Sequence, residues 1–324
     1  MIISTRLSHA EILALGSLQG IGNQSVKILA ESKLTLEEIV YSSPEHLKKW
    51  IKGNNKVEAI TSIKTLTQDF VEKYDQKLAS LENDNIEVIS FWDPDYPALY
   101  RLLKTPPSLI YIRGEKALLK SSKNIAIIGT RRNSAYAEKI ASATANEFCH
   151  RDYLIVSGLA QGIDTAAHKG ALRSSGKTAA ILVDVLNIYP KENTQLAAEI
   201  LQSGGILISE NMPGEAFGRG AFVSRDRLQS GLSIGVFVIE SGIKGGTMHT
   251  ARFASEQSRL VFCPDYSLVD GYKYNPDQYS GIQKLLGSHE AKKYSGKDYN
   301  SIDENLRRQF DKLQSDISQV SLFG

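Results

Sequence analysis

From Ile125 onward, short β-branched apolar runs alternate with segments of helical character, and this alternation limits the possible folds more than any other feature of the chain. The runs are Ile125 to Ile128, Leu154 to Ser157, Thr178 to Val185, Ile206 to Ser209, Ile234 to Glu240 and Leu260 to Cys263. They are short, bounded and apolar on both faces, as strands of a parallel sheet covered on both sides must be. The intervening segments Tyr136 to His150, Asp164 to Ser174, Asn193 to Gln202, Phe222 to Leu232 and Thr247 to Ser258 suit helices. The pattern predicts an α/β fold, a doubly wound parallel sheet of extended Rossmann-like type, with its ligand outside the strands' carboxyl ends.

The chain before this region reads differently. Ser8 caps a helix through Leu18, and Gly20-Ile21-Gly22 then leads into a second helix. Such a turn is what a helix-hairpin-helix requires. The acidic Glu37, Glu38 and Glu45 dilute the charge of Lys27, so a plain helical hairpin in a small bundle is favoured. Leu34 to Leu81 continues as amphipathic helices, with Pro44 in a first turn. The polar cluster Glu82-Asn-Asp-Asn85 marks a boundary, followed by strands at Ile86 to Trp92 and at Pro106 to Gly114, the latter expected toward a sheet edge. Three parts result: a helical domain over 1–82, the Rossmann-like domain over 83–300 and a C-terminal helix over 301–324.

Composition narrows the function classes. With 42% hydrophobic residues the chain can bury a core, and 38 Lys and Arg against 36 Asp and Glu leave it nearly neutral. Any nucleic-acid surface must then come from local placement of charge. Cys149 and Cys263 lack CxxC spacing, which argues against a zinc site or a disulfide and suits buried thiols in a reducing compartment. Met1 to Ala10 lacks a signal-type apolar core, and no uncharged apolar run approaches the roughly 18 residues of a membrane span. The expectation is a cytoplasmic protein without metal or cofactor.

The strand ends carry the candidate chemistry. Gly129-Thr130-Arg131-Arg132 combines a glycine for close approach, free N–H groups at a helix start and two fixed positive charges. An ordinary turn with solvated arginines fits these residues equally well. After the next strand, Ser157, Gly158 and Gly162 free backbone donors, and Asp164 caps a helix. Asp164 and His168 stand four apart on one helix face, where a cap and a local hydrogen bond outweigh acid/base or metal chemistry. Lys191 and Asn193 follow the third strand. Arg225 and Arg227 follow Phe222, the mixture of cations and ring face that single-stranded nucleic acid needs, unless they pair with Asp226 and Glu240. Lys244, Gly245, Gly246 and Thr247 offer a charge, N–H groups and a hydroxyl to one phosphate.

In their order, Ile-Gly-Thr-Arg-Arg-Asn-Ser-Ala-Tyr136, Ser-Gly-Leu-Ala-Gln-Gly-Ile-Asp-Thr-Ala-Ala-His168, Tyr-Pro-Lys-Glu-Asn193, Ile-Ser-Glu210, Arg-Asp-Arg-Leu-Gln-Ser-Gly-Leu-Ser233 and Val-Ile-Glu240 resemble the DprA/Smf family. The likeness runs from about Leu13 to Tyr299 and includes Asp-Tyr-Pro97 and Gly-Ile-Gln-Lys-Leu-Leu-Gly287. It implies a helical domain on an extended Rossmann domain, single-stranded DNA binding, dimerisation and loading of a RecA-type recombinase. It also implies phosphate contacts from Arg131, Lys191 and Arg225, with backbone donors from the Ser157 to Gly162 loop and the Gly245 to Thr247 turn. Departures are Asp226 within Arg-Asp-Arg, Val183-Asp-Val-Leu-Asn187 in place of a glycine-rich strand end, and Lys244-Gly245-Gly246 in place of Ser-Gly-Ser. The winged helix of many members has no counterpart, because Ser301 to Ser318 reads as one amphipathic helix.

Two other readings use the same pocket. A phosphoribohydrolase of related fold needs a carboxylate in its glycine turn, and that position here is Thr250, with His249, Glu210 and Glu240 as the nearest substitutes. A nucleotide sensor would suit the Lys244-Gly245-Gly246 turn. A dinucleotide oxidoreductase fails its own fingerprint, since Gly-Thr-Arg-Arg replaces Gly-x-Gly-x-x-Gly. The last strands and the apolar stretch Leu228 to Val238 are the expected dimer surface.

Overall fold

The computed structural model describes residues 4–323 apart from Arg219, Tyr272 and Tyr274, with side chains up to residue 319. Residues 1–3, part of the N-terminus read above as lacking a leader, lie outside the described residues.

The chain opens with helices α1 (His9–Ser17), α2 (Asn23–Glu31), α3 (Leu36–Tyr41), α4 (Pro44–Trp50), α5 (Lys56–Lys64) and α6 (Gln68–Leu81). Their starts are fixed locally. Ser8 with Glu11 and Thr35 with Glu38 form capping boxes, and Ser43 caps α4 ahead of Pro44. Between α1 and α2, Gly20 takes φ 80°, and a Cβ there would lie 3.1 Å from both Asn55 O and the Ala59 Cβ. The turn therefore packs on α5. Lys27 lies 4.5 Å from the centre of the Phe91 ring and 3.7 Å from Glu31, so its charge is engaged by the protein itself.

The sheet is built from β1 (Glu87–Ser90), β2 (Leu109–Gly114), β3 (Asn124–Ile128), β4 (Leu154–Ser157), β5 (Thr178–Ile181), β6 (Ile206–Ser209), β7 (Gly235–Val238), β8 (Leu260–Pro264) and β9 (Lys292–Tyr294). Among the described residues it has nine strands in the order β1-β2-β6-β5-β4-β3-β7-β8-β9. Strands β3 to β9 are parallel to one another, and β1 and β2 add antiparallel pairs beyond β6. Helices α7 (Ala135–Cys149), α8 (Ile163–Arg173), α9 (Thr194–Gln202), α10 (Gly220–Gly231), α11 (Thr247–Glu256), α12 (Pro276–Gly287) and α13 (Tyr299–Phe323) complete the chain. This is the doubly wound α/β fold that the alternation predicts.

The period-two geometry of a strand divides the core between the sheet's faces. Ile125, Ile127, Ile155 and Phe237 pack with α7, α8 and α13, while Ala126, Ile128, Val156 and Val236 pack on the opposite side. That second cluster continues without a break into Leu15, Leu29 and Ile63 of the N-terminal helices. Among the described residues no helix is long and apolar enough to cross a membrane. Burial pushes the thiol of Cys149 up to about 11 and that of Cys263 up to about 12, so neither ionises near neutrality.

Several expectations need correction. Strand β5 ends at Ile181 rather than Val185, although residues 182–185 stay buried and Leu182 N still donates to Ile208 O at 2.7 Å. Strand β2 lies second from the edge, because Pro106 and Pro107 precede its ladder and remove no hydrogen bond from it. The stretch Leu228 to Val238 is internal: Leu228, Leu232, Ile234, Val236 and Val238 are all buried, and β7 lies between β3 and β8. It cannot serve as a dimer surface. Strand β9 carries the exposed Lys292 and Lys293, which concealed it from apolar periodicity.

One topological fact positions the site. From β3 the chain moves outward through β4, β5 and β6, then returns to lay β7 on the other side of β3. The loops leaving β3 and β7 diverge there and leave a crevice at their carboxyl ends, where ligands of open α/β sheets bind.

Candidate nucleic-acid interface

The loop after β3 is held by the end of β7. Thr130 N donates to Glu240 O at 2.7 Å, and the Glu240 carboxylate accepts from Ser134 N at 2.8 Å and Ser134 Oγ at 2.9 Å. Ser134 Oγ also accepts from Ala137 N at 3.1 Å, capping α7. Burial raises the Glu240 pKa, and the two donors of Ser134 offset that rise. The carboxylate is thus a latch between two loops. From the pinned segment Arg131 and Arg132 extend outward, both exposed, and Gln278 Nε2 of α12 fixes the Arg132 carbonyl oxygen at 3.0 Å.

Gly129 and Gly162 bring the loops after β3 and β4 into contact. A Cβ on Gly129 would lie 2.5 Å from Ile163 Cγ1; one on Gly162, at φ 82°, would lie 2.5 Å from Thr130 O. Their small size serves loop-on-loop packing as well as ligand approach. Across the crevice, Gly281 N donates to Ser241 O at 2.8 Å and Gly245 N to Gly242 O at 2.9 Å, closing the turn before α11. Gly246 then heads the helix in open space, where a Cβ would meet no atom within 4 Å. Helix geometry leaves the N–H groups of Gly246 and Thr247 without intrahelical partners.

The floor is a buried charge network. Arg225 of α10 donates from Nη1 to Gly158 O at 2.7 Å and to Ile181 O, and its Nε lies 3.2 Å from Asp226 Oδ1. Asp164 accepts from Gly158 N at 3.1 Å and from Ala160 N at 3.3 Å. Burial pushes its carboxyl up to about 6, against the pull of Arg225 and the Ala160 N–H. Burial also raises Asp226, while Arg225, His249 and Arg131 pull it down.

These elements enclose a cleft of about 630 Å³. Of the residues expected to bind phosphate, Gly129, Thr130, Arg131, Arg132, Arg225, Gly245, Gly246 and Thr247 all line it. Five do not work as expected, the first being Gly245, which lines the cleft but spends its N–H on Gly242 O at 2.9 Å. Ser157 is fully buried and donates to Ile127 O at 2.7 Å, which ties β4 to β3. Gly158 spends its N–H on Asp164 and its carbonyl on Arg225. Asn193 is buried and donates to Leu159 O at 2.8 Å and Thr165 Oγ1 at 2.9 Å, so it props a loop instead of meeting solvent. Arg225 reaches the cleft but commits Nη1 to two carbonyls, so it is mainly a strut.

The remaining expected residues lie around the cleft and outside its lining. Lys191 is exposed in the short turn Lys191–Asn193 beyond β5, and Lys244 is exposed in the turn before α11. Gly162 faces a neighbouring groove between α7 and α8. Phe222 packs edge-on with Tyr189 at 5.3 Å and Phe217 at 5.7 Å, a half-exposed aromatic group apart from the cleft. Arg227 is in a structural ion pair, but its partner at 2.5 Å is Glu210 and not the expected Glu240, which is held by Ser134.

His168 is buried, and its Nδ1 lies 2.7 Å from Thr178 Oγ1, which itself donates to Ile155 O at 2.7 Å. The single hydroxyl proton being spent, His168 must donate from Nδ1. Burial depresses its pKa to about 3, so it stays neutral and plays no acid/base part. Sequence reasoning missed the wall formed by Asn275, Asp277 and Gln278 at the start of α12, and Gln229 of α10. The Asn-Pro-Asp at the α12 start is a helix-cap signal that places no residue in a cleft by itself.

Known proteins resemble this chain in sequence and in fold. The family model of DNA recombination-mediator protein A matches residues 87–304. DNA processing protein DprA of Bacillus subtilis is 32% identical over 249 residues, covering 72% of this chain and 84% of its own. The structure of DNA processing protein A from Streptococcus pneumoniae superposes with a TM-score of 0.72 at 28% identity, over 91% of this chain and 97% of that one. The Helicobacter pylori protein of the same name, whose structure is described as giving insight into its single-stranded DNA binding mode, matches with a TM-score of 0.56 at 27% identity, over 71% of this chain and 96% of that one. With the expected fold, the expected order of strand-end loops and a family match over most of its length, the chain belongs to the DNA recombination-mediator protein A family, DprA/Smf.

Proposed function

We propose that this protein binds single-stranded DNA in the cleft between the ends of β3 and β7, without catalysis, and acts as a mediator that passes the strand to a RecA-type recombinase. The observation that carries the reading is the convergence of Arg131 and Arg132 with the open N–H groups of Gly246 and Thr247 in one cleft. Fixed cations and helix-start amides bind phosphate without regard to base. The single-stranded DNA binding described for the Helicobacter pylori relative supports it. A homodimer in the cytoplasm belongs to the same proposal.

A small nucleotide is the second reading, because about 630 Å³ also suits a small ligand. Of the two carboxylates weighed for hydrolysis, Glu240 is engaged by Ser134 and Glu210 by Arg227. The deciding measurement is a fluorescence-anisotropy titration with labelled oligo-deoxythymidine over a range of salt. Binding whose logarithm falls by about 0.7 per neutralised phosphate for each decade of salt supports the DNA reading. Binding of a nucleoside monophosphate alone, or steady release of base from it that Glu240→Gln abolishes, replaces that reading with the second.

A further inference from the structure

Beside the cleft runs a groove of about 790 Å³ between α7 and α8. Its walls carry Arg131, Lys139, Lys169 and Arg173, all exposed, and among the described residues none of the four enters an ion pair. Lys169 and Arg173 stand one helical turn apart, about 6 Å along α8. Glu138 is the one carboxylate in the described lining, so the groove keeps a net positive charge.

The floor is small by construction. Gly170 allows α8 to lie against α7: a Cβ there would come 2.7 Å from Ser142 O and 3.0 Å from Ala145 Cβ. Ala143, Gly162, Thr165 and Ala166 add little bulk. A channel with cationic walls, a low floor and no aromatic ring in its described lining suits a sugar-phosphate backbone, because there is no ring face on which a base would stack.

Arg131 lines both the groove and the cleft. From this shared residue we infer that the groove between α7 and α8 is an exit track, holding the backbone of a single strand as it leaves the cleft. The inference rests on the DNA reading above and adds the path that the strand takes beyond the cleft.

The test compares oligo-deoxythymidines of about 6 and about 20 nucleotides, bracketing the length one small domain covers. The variant Lys139→Ala/Lys169→Ala/Arg173→Ala alters exposed side chains only. Its control, Lys297→Ala/Arg308→Ala/Lys312→Ala, removes the same charge at the C-terminal end of the chain. The expected result is unchanged affinity for the short oligomer, roughly tenfold weaker binding of the long one, and a salt slope lower by about 2 for the long one alone. Equal losses in variant and control, or unaltered binding of the long oligomer, overturn the exit track while leaving the cleft reading intact. If the unaltered protein binds neither oligomer, both fall.

Discussion

Arg225 Nη1 lies 2.7 Å from the carbonyl oxygen of Gly158, so a helix that begins some sixty residues later props open the end of β4. The same nitrogen reaches Ile181 O of β5, and Asp226 balances the charge. One buried guanidinium thus sets the spacing of two strand ends beneath the cleft.

Removing it should cost stability before it costs binding. Arg225→Ala strands two carbonyls and leaves Asp164 and Asp226 without their cation, a loss of about 3 kcal/mol for breaking a buried network. The expected outcome is a lower urea midpoint at unchanged m-value, with Arg225→Lys intermediate. A midpoint equal to that of the unaltered protein would remove the strut assignment.

Arg131 is exposed on a pinned loop, so its loss should leave stability alone and weaken DNA of every sequence alike. Arg131→Ala is expected to lower the salt slope by about 0.7. Lys191→Ala should also weaken binding, by less, since Lys191 lies outside the cleft lining. Anisotropy titrations of both variants at several salt concentrations settle the order, and an Arg131→Ala slope identical to the parent's rejects the phosphate contact.

Gly246 permits a test that changes no charge. Its φ of −56° already suits proline, and a Cβ there would meet no atom within 4 Å. Gly246→Pro deletes one N–H; Gly246→Ala keeps it. If that N–H holds a phosphate, a hydrogen bond to charge worth about 1.5–3 kcal/mol is lost, and binding should weaken at least tenfold in the proline variant alone. Equal affinity of the two variants for oligo-deoxythymidine argues against a backbone contact there.

Asp164 and His168 bias the fold in opposite directions with pH. Asp164, raised to about 6, lends stability that is present in acid and is lost as the pH rises from about 4 through about 6. His168, depressed to about 3, lends stability that is present above about 6.5 and is lost as the pH falls below it. Each masks the other. Asp164→Asn should therefore steepen the loss of thermal stability between pH 6 and pH 4, and His168→Gln should flatten it. Melting curves of the three proteins that run parallel across this range would refute both assignments.

The sheet was legible because its strands are written as short runs of Ile, Val and Ala that a doubly covered sheet must bury on both faces. Gly129 and Gly246 were legible for a similar reason: a glycine at a strand end or helix start points to close packing or open amides. The arginines were harder to separate. Arg131 and Arg225 look alike in the chain, and only the passage of α10 beneath β4 and β5 sends one into the interior while the other stays in solvent. Asn193 was misplaced on the same ground, since its amide meets Leu159 and Thr165, whose approach depends on how α8 and α9 pack. The α12 wall was not visible, because it arrives from the far end of the sheet.

The latch between Ser134 and Glu240 joins positions 106 residues apart in the chain. The loop bearing Arg131 can rest on Ile163 as soon as the β4 loop is made, but it gains this second fastening only when the chain has been extended to Glu240. Arg132 O waits longer still, for Gln278 of α12, so the loop after β3 is fastened in stages by parts of the chain that lie progressively further along it.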